Sequence, residues 1–198
     1  QKLIMIKLQN YFCFLLIIIF TTCSDNTNQK KEIQDNPHHI EITSKNPKAI
    51  EFYRQAKLYE FNQEYLEARE SYRSALRLDP NMVMALIGIN ESNGLLKSGY
   101  IKKAVKKIND ANDYERIYIA WDTLSNSGSN RLKKQELSAK VIELYPDKVD
   151  GYMMMALSFT PSNNESIKFL EKVLEIDPDN LHANYQIIRN KFGGSNRA

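Results

Sequence analysis

Residues 49–80, AIEFYRQAKLYEFNQEYLEARESYRSALRLDP, decide the fold. Counting Ala49 as one, Ala56, Ala68 and Ala75 fall at eight, twenty and twenty-seven, and Pro80 at thirty-two. Phe52, Tyr59, Tyr72 and Leu78 fall between them at four, eleven, twenty-four and thirty. Small residues recurring at helical spacing let two antiparallel helices approach closely, while the aromatics fill the seam. A hairpin of this length cannot bury its apolar face alone, so stacked neighbours are expected.

The neighbours are legible in the hairpin ends ALRLDPN (75–81), VIELYPD (141–147) and VLEIDPD (173–179). Pro80 and Pro146 stand 66 residues apart, and Pro146 and Pro178 stand 32 apart. A further ending is expected near Asp110–Asp113, where DAND supplies turn residues without proline. Upstream of it, Gly99, Ala104, Ile108 and Ala111 reproduce the second-helix spacing of Gln63, Ala68, Tyr72 and Ala75. Lys134, Ser138 and Val141 stand where the third unit should carry small, aromatic and small residues.

This pattern resembles the tetratricopeptide repeat, over roughly residues 47–192. The resemblance implies an all-α, right-handed superhelical solenoid of about four helix hairpins, closed by a C-terminal capping helix. Helices are expected near 47–61, 64–78, 81–97, 100–112, 114–125, 130–144, 148–159, 163–176 and 179–192. Asn46–Pro47, Asp79–Pro80 and Asp177–Pro178 read as helix starts, and Ser162 with Glu165 as a capping box. In the last helix, Leu181, Tyr185, Ile188 and Phe192 form one apolar stripe, expected to cover the final repeat. Met153, Met154 and Met155 lie on a first helix, where one or two of the three should be core.

The resemblance also places a concave groove along the first helices. In the first unit it falls on Ile50, Tyr53, Lys57, Glu60 and Phe61, and in the second on Met84, Ile87, Glu91 and Leu95. Ile50, Met84 and Ile87 read more simply as core between repeats. Tyr53, Lys57, Glu60, Phe61 and Glu91 are the candidate peptide contacts, apolar pockets giving affinity and charges giving register. Relatives that clamp acidic chaperone tails carry lysine and asparagine where this chain has Tyr53 and Lys57, so that specificity is not implied.

The amino-terminal end gives an address. Lys2 and Lys7 precede the apolar run 11–20, which is followed by Thr21, Thr22 and Cys23. A run of about ten residues is too short to cross a bilayer, which takes about twenty. A basic start, a short apolar stretch and small residues read as a secretory signal. With Cys23 at the cut point it resembles the lipobox of bacterial lipoproteins, which implies a diacylglycerol on the Cys23 thiol. Met5 is a candidate true start. The competing reading is an uncleaved anchor from near Leu3, which Lys7, Gln9 and Asn10 interrupt. Ser24 after the cysteine implies the outer rather than the inner membrane of a bacterial envelope. The division expected is a signal at 1–22, a flexible tether at 23–46, the solenoid at 47–192 and a polar tail at 193–198.

Composition narrows the function. The chain carries +3 at neutral pH, and removing 1–22 takes Lys2 and Lys7 and no acid, leaving +1. Such a balance lacks the electrostatic footprint of a nucleic-acid binder. Lys102, Lys103, Lys106 and Lys107 read as a solvated helix face. Cys13 would leave with the signal, so the mature chain keeps Cys23 alone and forms no internal disulfide. His38, His39 and Glu41 in PHHIE fall short of a metal site, and no cofactor motif is present. No glycine-rich phosphate loop, GxSxG or HExxH occurs, and Asp79 and Asp177 read as turn residues, so no enzyme is expected. Three functions follow. One is a lipid-anchored scaffold for a peptide or protein partner; another is a structural subunit of an outer-membrane or pilus assembly complex; the third is an accessory ligand-capture lipoprotein.

Overall fold

Small residues decide where the helices touch. Ala56, Ala68 and Ala75 are all fully buried, and Tyr72 fills the seam between them with no exposed surface. The computed structural model describes residues 36–92, 98–125, 127–160 and 163–192. The signal, Cys23, the tether as far as residue 35, Leu95, Ser162 and the tail 193–198 lie outside the described residues, as do the side chains of Glu91 and Phe192.

Among the described residues the regular elements are all helical. In chain order they give α1 (Pro47–Phe61), α2 (Tyr65–Leu78), α3 (Val83–Ser92), α4 (Ser98–Lys106), α5 (Asp113–Asp122), α6 (Ser129–Leu144), α7 (Val149–Leu157), α8 (Asn164–Ile176) and α9 (Leu181–Phe192). A short 3-10 turn, Ile108–Asp110, precedes α5. Helices pair as α1/α2, α3/α4, α5/α6 and α7/α8, and first helices also neighbour one another, α1 with α3 and α3 with α5. The described residues therefore form a stack of four hairpins followed by one more helix.

Local chemistry sets the helix starts. The Asn46 side chain accepts from the Lys48 amide, with Pro47 in the first turn of α1. Asn112 and Glu115 form a reciprocal capping box at α5. At α8 the cap is Asn163, accepting from Glu165, rather than the Ser162 expected from sequence. Pro80, Pro146 and Pro178 are exposed residues of the turns between hairpins. Asp79 and Asp177 end α2 and α8 rather than starting the next helix. The start of α9 is capped by Asn180, whose Oδ1 accepts from Ala183 at 3.0 Å.

Close approach also requires two glycines. A Cβ on Gly88 would stand 2.2 Å from the Tyr72 ring, and one on Gly151 would stand 2.8 Å from the Ile142 backbone nitrogen. Met82–Ile89 are buried without a break, so α3 is enclosed on every side as far as Ile89. Met84 and Ile87 are thereby core, while Ile50 is partly buried against the same core. Of the three consecutive methionines, Met154 alone is buried.

Two apolar clusters divide the stack. The larger runs from Ile40 through the first three hairpins to Met154, and the smaller joins Val149, Ala156, Leu170, Val173 and Ala183. A layer of buried polar side chains, among them Lys134, Ser158, Ser166, Gln186 and Asn190, accompanies the join.

Two expectations are corrected. The stripe on α9 does not cover the last repeat: Leu181 is 63 % exposed and Ile188 58 %. The helix instead packs through Ala183, Gln186 and Asn190. The reason is repeat register. Leu181 and Ile188 lie 32 residues after Val149 and Ala156, which are buried with Leu170 and Val173 of their hairpin partner α8. Thus α9 repeats the register of a first helix, and among the described residues it packs on α8 with its Leu181 and Ile188 side exposed.

Second, residues 36–46 are not free tether. They lie as a strap across the amino-terminal ends of the first helices, held by one carboxylate from each of four successive levels. Asn36 donates to Asp177 at 3.3 Å, and the Ile40 amide donates to Asp150 at 2.7 Å. The Thr43 amide donates to Glu115 at 2.8 Å, and the Ser44 hydroxyl to Asp79 at 2.7 Å. The Val149 amide and the Asn112 side chain answer by donating to the carbonyls of His38 and Glu41. From Ile40 on α7 to Thr43 on α5 is three residues, about 10 Å of extended chain, which matches the spacing of packed helices. Ile40 is buried in the larger cluster and Ile42 packs partly against it, the two sharing one face of the extended segment.

Candidate functional site: the inner face of the first helices

Side chains from α1, α5 and α9 converge, although these helices are far apart in the sequence. Phe61, at the end of α1, lies 6.0 Å from the His182 ring and 6.1 Å from the Tyr185 ring of α9. Tyr114, Tyr118 and Trp121 form an aromatic ladder on α5 at i, i+4 and i+7, with successive rings 5.8 Å apart. This ladder was absent from the groove expected by family register, yet its helical spacing is visible in DYERIYIAWD.

The expected contact residues divide. Tyr53 is buried and packs on Tyr72 at 5.9 Å, so much of it belongs to the core. Lys57 and Glu60 form an ion pair at 2.7 Å, the lysine keeping 45 % of its side chain exposed and the glutamate 15 %. Phe61 sits in the aromatic contact just described.

Electrostatics in this region favour a fixed cation. Lys57 lies deep among the helices yet open to solvent on one side. Desolvation opposes its charge, but Tyr72, Glu60 and Tyr118 outweigh it and hold the ammonium well above its ordinary pKa. Burial pushes the Tyr72 phenol well up, with Lys57 partly offsetting it. Burial and the charges of Lys57 and Arg189 lower His182 to about 4, so its imidazole is neutral at ordinary pH. Its Nε2 stands 3.0 Å from the Gln186 side-chain nitrogen.

The strap has its own titrating contact. His39 Nδ1 lies 3.0 Å from Asp150. Desolvation would lower His39, but the bond to Asp150 and the charges of Asp150 and Asp177 raise it. Glu115 is fully buried, and burial raises its pKa against the amide bonds from Asn112 and Thr43. Sequence reasoning took Asp79 and Asp177 for turn residues and passed over Glu115 and Asp150.

Farther along the same helices, α5–α9 line a half-open cavity of about 490 Å³. Trp121 and Leu124 on and after α5, Leu157 on α7 and Arg189 on α9 line it, with Arg131 and Lys134 of α6 beneath. Lys134 stands 3.9 Å over the centre of the Trp121 ring. At the opposite wall Asn190 donates to Ser166, which donates to the Ala156 carbonyl.

Residues 52–82 and 155–180 match the tetratricopeptide repeat family. Two segments of the chain, one in the first hairpin and one in the last, are thus similar to a tetratricopeptide repeat. The first match covers most of the first hairpin and the turn that follows, and the second runs from the end of α7 through α8 to the turn before α9. No curated protein matches the chain. Among solved structures it is similar to the MamA protein, at 16 % identity and a TM-score of 0.38, over 74 % of this chain and 82 % of that one. It is also similar to YrrB, described as a TPR protein with an unusual peptide-binding site, at 18 % identity and a TM-score of 0.37, over 75 % and 79 %. Likenesses this loose carry nothing about ligands.

Proposed function

We propose that the chain is a non-enzymatic scaffold that grips a peptide or protein on the inner face of its first helices. The observation that carries this reading is the convergence of Lys57, Phe61, Tyr118, His182 and Tyr185 from three distant helices. Tyr118 and Phe61 keep partial exposure, and Lys57 and Tyr185 are exposed. Aromatic rings beside a permanently charged lysine suit an extended or helical segment: rings supply contact area, and charge fixes register. Repeat proteins bind through such extended inner surfaces.

The address belongs to the same proposal. Cys23 follows a basic start and a short apolar run, which supports a lipid anchor in a bacterial envelope, the outer membrane favoured by Ser24. Two or more acyl chains, at about 0.8 kcal/mol per buried methylene, hold a protein at a membrane. With the strap docked from residue 36, the tether runs from Cys23 to that point and is shorter than the sequence division implied. Metabolic labelling with palmitate tests the anchor: label is expected on the wild type and not on Cys23→Ser, and label on both places the lipid elsewhere.

Purification in detergent tests the grip. Wild type is expected to retain a partner that Lys57→Glu with Tyr118→Ala loses while keeping its helical circular dichroism at the purification temperature. Retention by the double variant moves the binding surface elsewhere. The naked apolar face of α9 favours a second reading, a structural subunit of an assembly complex. A stoichiometric integral-membrane partner lost on Ile188→Glu would select it.

A further inference from the structure

Two observations meet at the carboxyl-terminal end of the stack. The first is where the strap leaves it. Asn36, the first described residue, donates to Asp177 Oδ2 at 3.3 Å. The same oxygen accepts from Asn180 at 3.0 Å, and Asn180 caps α9. The strap thus carries the chain from the start of α1 back across the stack, so the segment toward Cys23 departs beside the first turn of α9. Without the strap it would depart beside α1, at the opposite end. Thirteen residues separate Cys23 from Asn36, a reach of at most about 45 Å.

The second observation is the surface of α9. Leu181, Tyr185 and Ile188 recur at i, i+4 and i+7 and are exposed, on the side opposite the buried Ala183, Gln186 and Asn190. Arg189 and Lys191, also exposed, flank this stripe on its two sides, and α9 contains no carboxylate. An apolar stripe with aromatic character, cations beside it and no acid is the pattern of a helix lying in a headgroup region. With twelve residues α9 is about 18 Å long, and no described helix is long and apolar enough to cross a membrane.

We propose that α9 is a membrane-contact helix, its Leu181, Tyr185 and Ile188 stripe resting in the headgroup region of the bilayer that holds the Cys23 lipid. Arg189 and Lys191 then meet anionic lipid phosphates. The proposal rests on the reading of Cys23 as a lipid anchor and gives the anchored domain an orientation. Two features favour lipid over a protein occupant. The strap brings the anchored segment out at this helix and at no other, and the charges beside the stripe are of one sign, complementary to phosphate. Tyr185 stands at the boundary of the stripe, its ring also meeting Phe61 of α1.

Cys13 and Cys23 are the only cysteines of the chain, so a lipidated mature chain has no free thiol. Ile188→Cys adds one on the stripe, and Lys103→Cys adds one on the outer face of α4. Each chain, purified from membranes, is labelled with the environment-sensitive dye NBD. It is then reconstituted in vesicles of phosphatidylethanolamine and phosphatidylglycerol, with and without nitroxide-bearing lipid. The dye at 188 is expected to shift to the blue and to be quenched by the nitroxide lipid, and the dye at 103 to stay water-like and unquenched. Leu181→Glu, at an exposed position, should abolish the shift and the quenching at 188, and replacing phosphatidylglycerol by phosphatidylcholine should weaken both. A blue-shifted but unquenched dye at 188 means that protein covers the face, whether a second copy or another partner, and overturns the proposal. A water-like dye at 188, or equal quenching at both positions, overturns it as well. The number of dyes keeps the anchor separate. One dye per chain shows Cys23 occupied, so failure at 188 then sinks the orientation alone. More than one shows Cys23 free and sinks anchor and orientation together.

Discussion

Gly88 lies beneath the Tyr72 ring, at the point where the first and second hairpins meet. An added methyl has nowhere to go, because Tyr72 is fully buried and cannot swing aside. Overpacking of this kind costs about 1–3 kcal/mol, so Gly88→Ala should lower the denaturant midpoint accordingly with an unchanged slope. A midpoint equal to wild type would mean that the tyrosine has room to move. His39 makes a prediction about pH. Its pKa is raised on folding, so the bond to Asp150 contributes fully below about 6.5, the unfolded value, and fades as pH rises through the higher folded value. Protection of the Ile40 amide from hydrogen exchange, corrected for the intrinsic rate, should therefore be greater at pH 6 than at pH 8. His39→Gln should remove the difference. At this scale the sequence was most legible where residue size alone mattered: Ala56, Ala68 and Ala75 are core because only a small side chain fits. It was least legible at Tyr53, whose helical position suits both groove and core, and whose burial depends on Tyr72 from another helix.

The strap shows what composition cannot reveal about an element. Its sequence, NPHHIEITSKN, is polar and reads as a solvated linker. Its order comes from four carboxylates in three different hairpins, none of them near it in sequence. Ile40 is its apolar anchor, and truncation of a buried isoleucine costs about 2–5 kcal/mol. Ile40→Ala should lower stability within that range and expose 36–46 to protease. Stability equal to wild type, with the segment still protected, would mean that the polar bonds hold it unaided. The last helix makes the opposite point. Its i, i+4, i+7 stripe is real, but periodicity identifies an apolar face without saying which neighbour meets it. Because Ile188 faces outward, Ile188→Ala should change stability by no more than about 0.5 kcal/mol. Ala183 faces inward with no exposed surface, so Ala183→Leu should cost about 1–3 kcal/mol. Reversal of that order in thermal melts would restore the stripe to the core.

For the molecule, hairpins stacked by one repeated packing rule bring α1, α5 and α9 to a common inner face, which no single repeat contains. The hairpin count and nearly every helix were readable because each is written in local spacing. The aromatic and charged cluster was readable only in part, since it is assembled by the stack. The account's central claim is that this inner face, rather than any outer helix face, holds the partner. The most direct measurement places a photo-crosslinking amino acid at Lys57 in one chain and at Lys103, on the basic outer face of α4, in another, both expressed in living cells. The account predicts one discrete crosslinked product at Lys57 and none at Lys103. The same product from Lys103, or none from Lys57 while the protein is folded, would contradict it.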